Sequence, residues 1–199
     1  MRLGIYGGTF SPVHNAHVRA AKSFLEECEL DKLIIIPAGI PPHKAISADD
    51  DPSKRLDMCR IAFSSLPKTE ISDMELKRSG KSYTVMTIRA LAEEGSEIFL
   101  LCGTDMILTF DSWYCFEEIM DKCTLVYVRR EDDGDISVEL ERKIAFYEEK
   151  YHARVRKLTV DALEMSSTDI RAAIANDEDI SDRVPLGIYE YIRNNHLYK

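Results

Sequence analysis

The sequence predicts an α/β fold, a doubly wound and mostly parallel sheet with a small helical part at its C-terminal end. Strand-like and helix-like stretches alternate along the 199 residues, which is typical of such sheets. Hydrophobic residues make up 45% of the chain, enough to bury a core at this length. No internal repeat is visible, so we expect one domain over residues 1–199, with residues from about 165 forming a C-terminal helical subregion.

The first half of the chain predicts two strands and two helices in alternation. A short apolar strand over residues 2–6 ends at two glycines, and apolar residues then recur at helical spacing over residues 15–30. Residues 32–36 are rich in β-branched side chains, as expected of a strand covered on both faces. A loop rich in proline and glycine follows, and a second helix is expected from about Ser53.

The second half continues the alternation to the end of the chain. A weak strand over residues 69–72 precedes a helix over residues 83–94, which should stop at Gly95. The remaining predicted elements are strands over residues 97–102 and 125–128, a helix over 138–151, a strand over 153–160, and helices from about Thr168 and Leu186.

The predicted topology also indicates where a ligand should bind. In doubly wound sheets, ligands lie beyond the carboxyl ends of the strands. We therefore expect functional residues just after four positions: Tyr6, Ile36, Cys102 and Val160. Unusual residue clusters follow each of them.

The first cluster runs from Gly7 to His17. Its two glycines, Gly7 and Gly8, allow a sharp turn and a close backbone approach to a ligand, and the next helix begins with free amides that favour an anion. His14 and His17 are three residues apart, so both rings lie on one face of the first helical turn and can donate to phosphate oxygens. The alternatives are solvated capping histidines or a zinc site, but no further ligand is evident nearby.

Two further clusters carry cations or hydroxyls. Residues 37–44 form a loop stiffened by paired prolines that ends at Lys44, an ammonium suited to phosphate, although an exposed loop is the simpler interpretation. Three hydroxyls, Ser166, Ser167 and Thr168, open a helix, and Arg171 lies one turn inside it. Serines alone would be ordinary helix caps, whereas the added guanidinium favours a second anion cradle.

The first cluster resembles the GGTFDPVHxGH signature of the bacterial nicotinate-mononucleotide adenylyltransferases. Residues 41–44 are similar to the PPHK of the same family, and residues 166–171 to its SSTxIR element. Ser11 and Ala16 depart from the usual Asp and Gly, and Arg130-Glu131 replaces a frequent Pro-Gly. The resemblance covers nearly the whole chain and implies the Rossmann-like nucleotidylyltransferase fold.

The resemblance implies a pyridine pocket built from two separate segments. It assigns five residues to the pyridine mononucleotide: Ser82, Tyr83, Thr84, Trp113 and Tyr114. Trp113, whose default interpretation is core packing, would stack on the ring, and backbone amides near Thr84 and Tyr114 would hold the nicotinate carboxylate.

The resemblance also implies an ATP site and a reaction. The catalytic residues would be His14, His17, Lys44 and Arg171. ATP would contact Gly7, Gly8, Thr9, Phe10, Gly103, Asp105, Ser166, Ser167 and Thr168, with Asp105 on a ribose. Arg55 matches an arginine of the family. The expected reaction transfers AMP from ATP to nicotinate mononucleotide in NAD biosynthesis. Mg²⁺ would be held by phosphate oxygens and water, with no dedicated protein ligands.

Charge and cysteine usage limit the partners. The net charge of −9 argues against broad binding to nucleic acid. No apolar run approaches the ~20 residues of a membrane span, and no signal peptide is evident, so we expect a cytoplasmic protein. The five cysteines, with no CxxC pair, are expected to be buried or reduced. The sequence is compatible with a homo-oligomer.

Four alternative functions remain open at this point. The nearest is a phosphopantetheine adenylyltransferase, which lacks the PPHK loop and the Ser82–Thr84 and Trp113 pocket in this form. A second alternative is an enzyme that prefers nicotinamide mononucleotide. Backbone amides can make the contacts that distinguish the nicotinate carboxylate from the nicotinamide amide, so side chains in the sequence predict this choice only weakly. A non-catalytic nucleotide sensor would not need to keep His14 and His17. A fragment of an aminoacyl-tRNA ligase would need a basic RNA-binding appendage, which is not visible.

Overall fold

The structure is a computed structural model that describes residues 1–40, 51–128, 137–160 and 165–199. These residues form six strands: β1 Arg2–Gly8, β2 Lys32–Pro37, β3 Thr69–Ile71, β4 Glu97–Gly103, β5 Cys123–Val128 and β6 Arg154–Lys157. They also form eight α-helices: α1 Asn15–Glu27, α2 Pro52–Phe63, α3 Thr84–Leu91, α4 Thr104–Leu108, α5 Phe116–Lys122, α6 Ser137–Tyr151, α7 Ser167–Ala175 and α8 Leu186–Asn194.

The strands form one parallel sheet in the order β3-β2-β1-β4-β5-β6. The chain runs outward from β1 in one direction, returns to the centre at β4, and runs outward in the other. The strand order therefore reverses between β1 and β4, and the crevice beyond their carboxyl ends is where such folds bind ligands. The predicted α/β, doubly wound fold is confirmed, and every strand pairing among the described residues is parallel.

Each face of the sheet carries its own apolar core because buried side chains alternate along the strands. On β2, Leu33 and Ile35 face a core shared with α1, α2, α7 and α8. Ile34 and Ile36 face the other core, shared with α3, α4, α5 and α6. The two C-terminal helices thus pack against the same side of the sheet as α1.

Three element ends differ from the predictions by three residues, and the other boundaries among the described residues differ by less. Helix α1 ends at Glu27 rather than at residue 30, because Glu29 has a positive φ of 48°. Helix α3 ends at Leu91 rather than at residue 94, because Ala92 is extended and the Ser96 hydroxyl donates to the Glu93 carbonyl in a separate turn. Strand β6 ends at Lys157, where its pairing with Tyr127 on β5 ends.

The segment between β4 and β5 contains structure that the sequence did not predict. It holds α4, a 3-10 turn at Phe110–Ser112, and α5. These elements are too short to produce a clear helical periodicity. They are important for the site because they carry Asp105 and Trp113.

The cysteine prediction is confirmed for the described thiols. Four cysteines are buried and all five are free thiols. Burial raises the pKa of Cys123 to about 12, and those of Cys59 and Cys102 further. Among the described residues, no helix combines the length and apolar composition that crossing a membrane requires.

Candidate active site

A cleft of about 1720 Å³ lies at the carboxyl edge of the sheet, across the point where the strand order reverses. Every predicted site residue that the structure describes lines it. These are His14, His17 and Arg171; Gly7, Gly8, Thr9, Phe10, Gly103, Asp105, Ser166, Ser167 and Thr168; and Ser82, Tyr83, Thr84, Trp113 and Tyr114. Lys44 lies outside the described residues.

The two glycines after β1 serve different purposes. A Cβ on Gly8 would come within 2.9 Å of the Phe10 ring, so glycine is needed there for packing. A Cβ on Gly7 would meet no described atom within 4 Å, because this position faces the open cleft. Phe10 itself has a φ of 54° and is 2% exposed, so its ring folds back under the loop. The backbone of this turn thus faces the cleft, and the buried Phe10 ring packs behind it.

His14 and His17 form one stacked unit at the start of α1. Their ring centroids are 3.6 Å apart with planes inclined by 24°. The His14 amide donates to Nδ1 of His17 at 3.2 Å, so in the neutral His17 ring the proton sits on Nε2. The Phe10 ring packs edge-on against His17 with centroids 5.1 Å apart. These contacts restrict His17 to one ring orientation and make its second nitrogen a donor.

Helix α7 is bound directly to the loop that follows β1. The Ser167 hydroxyl donates to the carbonyl of Pro12 at 3.0 Å, and Nη1 of Arg171 donates to the carbonyl of Ser11 at 2.7 Å. Nη2 of Arg171 lies 3.2 Å from the Thr168 hydroxyl. The first and third predicted clusters therefore meet as one structure, although more than 150 residues separate them.

The N-terminus of α7 is capped in the way its sequence predicts. The Ser166 hydroxyl accepts from the Asp169 amide at 3.1 Å. It also donates to the Asp169 carboxylate at 2.6 Å. The side chain of Ser166 is thus used within the helix, while Thr168 is exposed at the cleft.

Arg55 contributes to the site by holding its loops, not by facing the cleft. It is fully buried, and its Nη1 donates to the carbonyls of Thr9 at 2.9 Å and Ala38 at 2.8 Å. These carbonyls belong to the loops after β1 and β2. The guanidinium therefore sets the spacing of two neighbouring loops, a role that the sequence pattern did not specify.

Gly103 and Asp105 lie together at the end of β4. Gly103 is the N-cap of α4, and a Cβ there would come within 2.5 Å of the Asp105 carboxylate. Glycine thus lets Asp105 fold back over the helix start. The carboxylate is exposed in the cleft, as a ribose contact would require.

Aromatic residues line another part of the cleft. The Trp113 ring stacks on Phe110 with centroids 4.7 Å apart and planes inclined by 22°. The rings of Tyr83 and Tyr114 are 4.9 Å apart. Residues 82–84 and 113–114, which the sequence assigned to one pocket, are therefore in contact with each other.

Ser82 and Glu75 have structural partners that the sequence did not indicate. The Ser82 hydroxyl accepts from the Gly39 amide at 3.0 Å, and the Ser82 amide donates to the Ile40 carbonyl at 2.8 Å. Glu75, which is 8% exposed, accepts from the Thr87 hydroxyl at 2.6 Å. Ser82 thus holds the loop after β2 against the aromatic part of the cleft.

The C-terminal residues also line the cleft, which sequence reasoning missed because it assigned them only to a closing helix. Asn195, His196, Tyr198 and Lys199 face it after α8 ends. The Tyr198 hydroxyl lies 3.1 Å from that of Ser11. No local sequence pattern links Tyr198 to Ser11, because 187 residues separate them.

The described residues contain no group of three or more His, Cys, Asp and Glu side chains arranged to hold a metal. His14 and His17 instead contact each other and their own helix start. The cleft combines imidazole, guanidinium, hydroxyl and amide donors at one end with aromatic rings at the other. That arrangement suits a phosphorylated ligand that carries a flat ring.

Comparison with known proteins agrees with this geometry. The cytidylyltransferase-like family model matches residues 5–173. The chain is 35% identical to a probable nicotinate-nucleotide adenylyltransferase of Clostridium tetani, over 100% of this chain and 99% of that protein. It is also 35% identical to a protein of the same name from Geobacter metallireducens, over 100% of this chain and 98% of that protein.

Solved structures share the fold. The Plasmodium falciparum nicotinic acid mononucleotide adenylyltransferase complexed with NaAD has a TM-score of 0.78 at 17% identity, covering 99% of this chain and 97% of that chain. A putative nicotinate-nucleotide adenylyltransferase from Vibrio parahaemolyticus has a TM-score of 0.64 at 21% identity, covering 100% and 96%. At these identities the likeness concerns the fold.

Proposed function

We infer that this chain, which belongs to the nicotinate-nucleotide adenylyltransferases of the cytidylyltransferase-like family, transfers the adenylyl group of ATP to the 5′-phosphate of nicotinate mononucleotide. The products are nicotinate adenine dinucleotide and pyrophosphate. The chain is thus a nucleotidyltransferase of NAD biosynthesis.

One observation carries the residue-level proposal. A single cleft joins the donor cluster of His14, His17 and Arg171 to the aromatic cluster of Tyr83, Trp113 and Tyr114. The reaction needs the same combination, because it must bring two anions together at one end and hold a pyridine ring at the other.

The chemistry requires positioning and charge stabilisation more than proton transfer. The phosphate of the mononucleotide attacks the α-phosphorus of ATP, a new P–O bond forms, and the bond to the β-phosphate oxygen breaks. The attacking phosphate is already an anion at neutral pH, so no general base is needed. Catalysis then depends on donors that stabilise the charge growing on the leaving pyrophosphate.

We assign these donors to the described residues that line the phosphate end of the cleft. His17 donates from Nε2, which its contact with the His14 amide leaves protonated. Arg171 and Thr168 act from the start of α7, where the helix dipole also favours an anion. Backbone at Gly7 and Gly8 approaches the phosphates. Lys44 is proposed to hold the β- and γ-phosphates, as the sequence motif implies.

Magnesium is proposed to enter with ATP. Imidazole, guanidinium and hydroxyl groups line the phosphate end, and the described side-chain carboxylates of the cleft are those of Asp51, Glu75 and Asp105. Because the described residues bring no three His, Cys, Asp or Glu side chains together to hold a metal, this donor set fits an ion that enters with the phosphates of ATP. When bound, Mg²⁺ would neutralise phosphate charge.

The preference for nicotinate over nicotinamide is proposed to come from backbone amides. Thr84 begins α3, and the backbone amides at the start of a helix are suited to a carboxylate. Tyr114 lies opposite, with its ring against Tyr83. A carboxylate gains from such amides more than a neutral amide does.

Product identification tests this function. Incubation with ATP, Mg²⁺ and nicotinate mononucleotide should yield nicotinate adenine dinucleotide and pyrophosphate in equal amounts, measured by mass spectrometry and a pyrophosphate assay. ADP and phosphate as products would contradict adenylyl transfer. Binding of ATP without any product would favour the nucleotide sensor.

A further inference from the structure

Helix α6 contains a buried tyrosine that the proposed mechanism does not use. Tyr147 is 0% exposed, although it carries a hydroxyl in a largely apolar core. A buried hydroxyl needs hydrogen-bond partners, since leaving it without them is unfavourable. Its partners show which part of the fold it stabilises.

The Tyr147 hydroxyl contacts the unpredicted segment between β4 and β5 at two points. It donates to the carbonyl of Ile107 at 3.1 Å and accepts from the amide of Asp111 at 3.3 Å. Ile107 lies in α4, and Asp111 lies in the 3-10 turn. One side chain of α6 thus satisfies two backbone groups and holds α4 and the turn together.

A second residue of α6 holds the same turn. Nζ of Lys143 donates to the Asp111 carboxylate at 2.7 Å. This contact lowers the pKa of Asp111 and raises that of Lys143. Lys143 and Tyr147 are four residues apart, so both face the turn from one side of α6.

The 3-10 turn that Tyr147 and Lys143 contact is followed directly by Trp113, the tryptophan of the aromatic cluster. The Trp113 amide donates to the Phe110 carbonyl at 3.0 Å, and the Trp113 ring stacks on the Phe110 ring. Phe110 is 0% exposed, so its ring is a fixed support. Any tilt of the turn about Asp111 would move the indole.

We propose that Tyr147 and Lys143 are positioning residues that set Trp113 for the pyridine ring, and so determine affinity for the mononucleotide. This inference rests on the proposed function, in which Trp113 stacks on that ring. Helix α6 then acts on specificity from outside the cleft, because neither residue lines it.

Tyr147→Phe tests the proposal because it removes only the hydroxyl. The KM for nicotinate mononucleotide should rise about 3- to 10-fold, because the turn loses the hydrogen bonds that the Tyr147 hydroxyl makes with Ile107 and Asp111, while kcat and the KM for ATP stay within about 2-fold. Tyr151→Phe is the matched control on the same helix, since the described residues offer its hydroxyl no partner; it should change none of these values. An equal loss in all three parameters would indicate a general structural defect and overturn the proposal.

A measurement on the free protein, without substrate, tests the positioning role independently of the proposed function. Trp113 is the only tryptophan, so intrinsic fluorescence reports its environment directly. Tyr147→Phe and Lys143→Met should each shift the emission maximum or increase acrylamide quenching in the free protein, whereas Tyr151→Phe should not. Unchanged fluorescence in both variants would overturn the positioning role, even if the enzyme proved active. If the variants shift the fluorescence but the wild-type protein has no adenylyltransferase activity, the proposed function is refuted and the positioning of Trp113 by α6 is retained.

Discussion

The hydroxyl of Tyr198 lies 3.1 Å from that of Ser11, although 187 residues separate them in the chain. Ser11 is 5% exposed, and its carbonyl accepts from Arg171 at 2.7 Å. The loop after β1 is therefore held from two sides, by α7 through its backbone and by the C-terminal residues through a side chain. Its position depends on the last residues of the chain.

The Tyr198 contact predicts an effect on ATP use. Tyr198→Phe should lower stability by about 1 kcal/mol and reduce kcat/KM for ATP several-fold, because the loop loses one support. Tyr189→Phe is the control, since this partly buried tyrosine of α8 accepts from Arg193 at 3.4 Å in an exposed contact away from Ser11. Denaturant unfolding and kinetics of Tyr198→Phe, Ser11→Ala and the double variant measure the coupling. Fully additive effects would show that the two hydroxyls do not interact.

Removal of the His17 imidazole should reduce turnover strongly. If Nε2 of His17 stabilises the transferring phosphate, His17→Ala should lower kcat by about 10²-fold or more with little loss of stability. His152→Ala replaces an exposed histidine after α6 and should leave kcat unchanged. Steady-state kinetics with both substrates saturating measure this. Wild-type turnover in His17→Ala would exclude the role.

Arg55 should matter for stability as well as activity. Arg55→Met leaves the partly buried carbonyls of Thr9 and Ala38 without their charged donor, so the free energy of unfolding should fall by about 3 kcal/mol. Arg60→Met on the same helix removes only an exposed contact and should change stability by less than about 0.5 kcal/mol. Equal stability of the two variants, measured by urea denaturation, would show that the buried guanidinium does not hold the loops.

The two glycines after β1 should respond differently to the same added methyl group. Gly8→Ala forces the Phe10 ring to move and should destabilise the protein by about 1–3 kcal/mol. Gly7→Ala meets no described atom, so stability should stay within about 0.5 kcal/mol while the KM for ATP rises. Thermal unfolding and kinetics of both variants check this pair. A large loss of stability in Gly7→Ala would show that this position is packed.

Local sequence patterns predicted most of the fold and much of the site. Residues 7–17 and 166–171 each form a recognisable loop and helix start, so their meeting at one sheet edge follows from topology. The contact between Tyr198 and Ser11 could not be predicted in this way, because it joins distant positions with no local pattern. From the sequence alone, Tyr147 cannot be distinguished from the other aromatic residues of the core, because its role depends on the hydrogen-bond partners of its hydroxyl. The roles assigned to individual site residues, Mg²⁺ and the cytoplasmic location stay predictions.

The most direct test of the central claim is to measure pyrophosphate release with ATP and Mg²⁺ in parallel for three acceptors. We predict a kcat/KM for nicotinate mononucleotide well above that for nicotinamide mononucleotide, and no turnover with phosphopantetheine. Turnover with phosphopantetheine alone would contradict the assigned acceptor, and no release with any of the three would contradict adenylyl transfer itself.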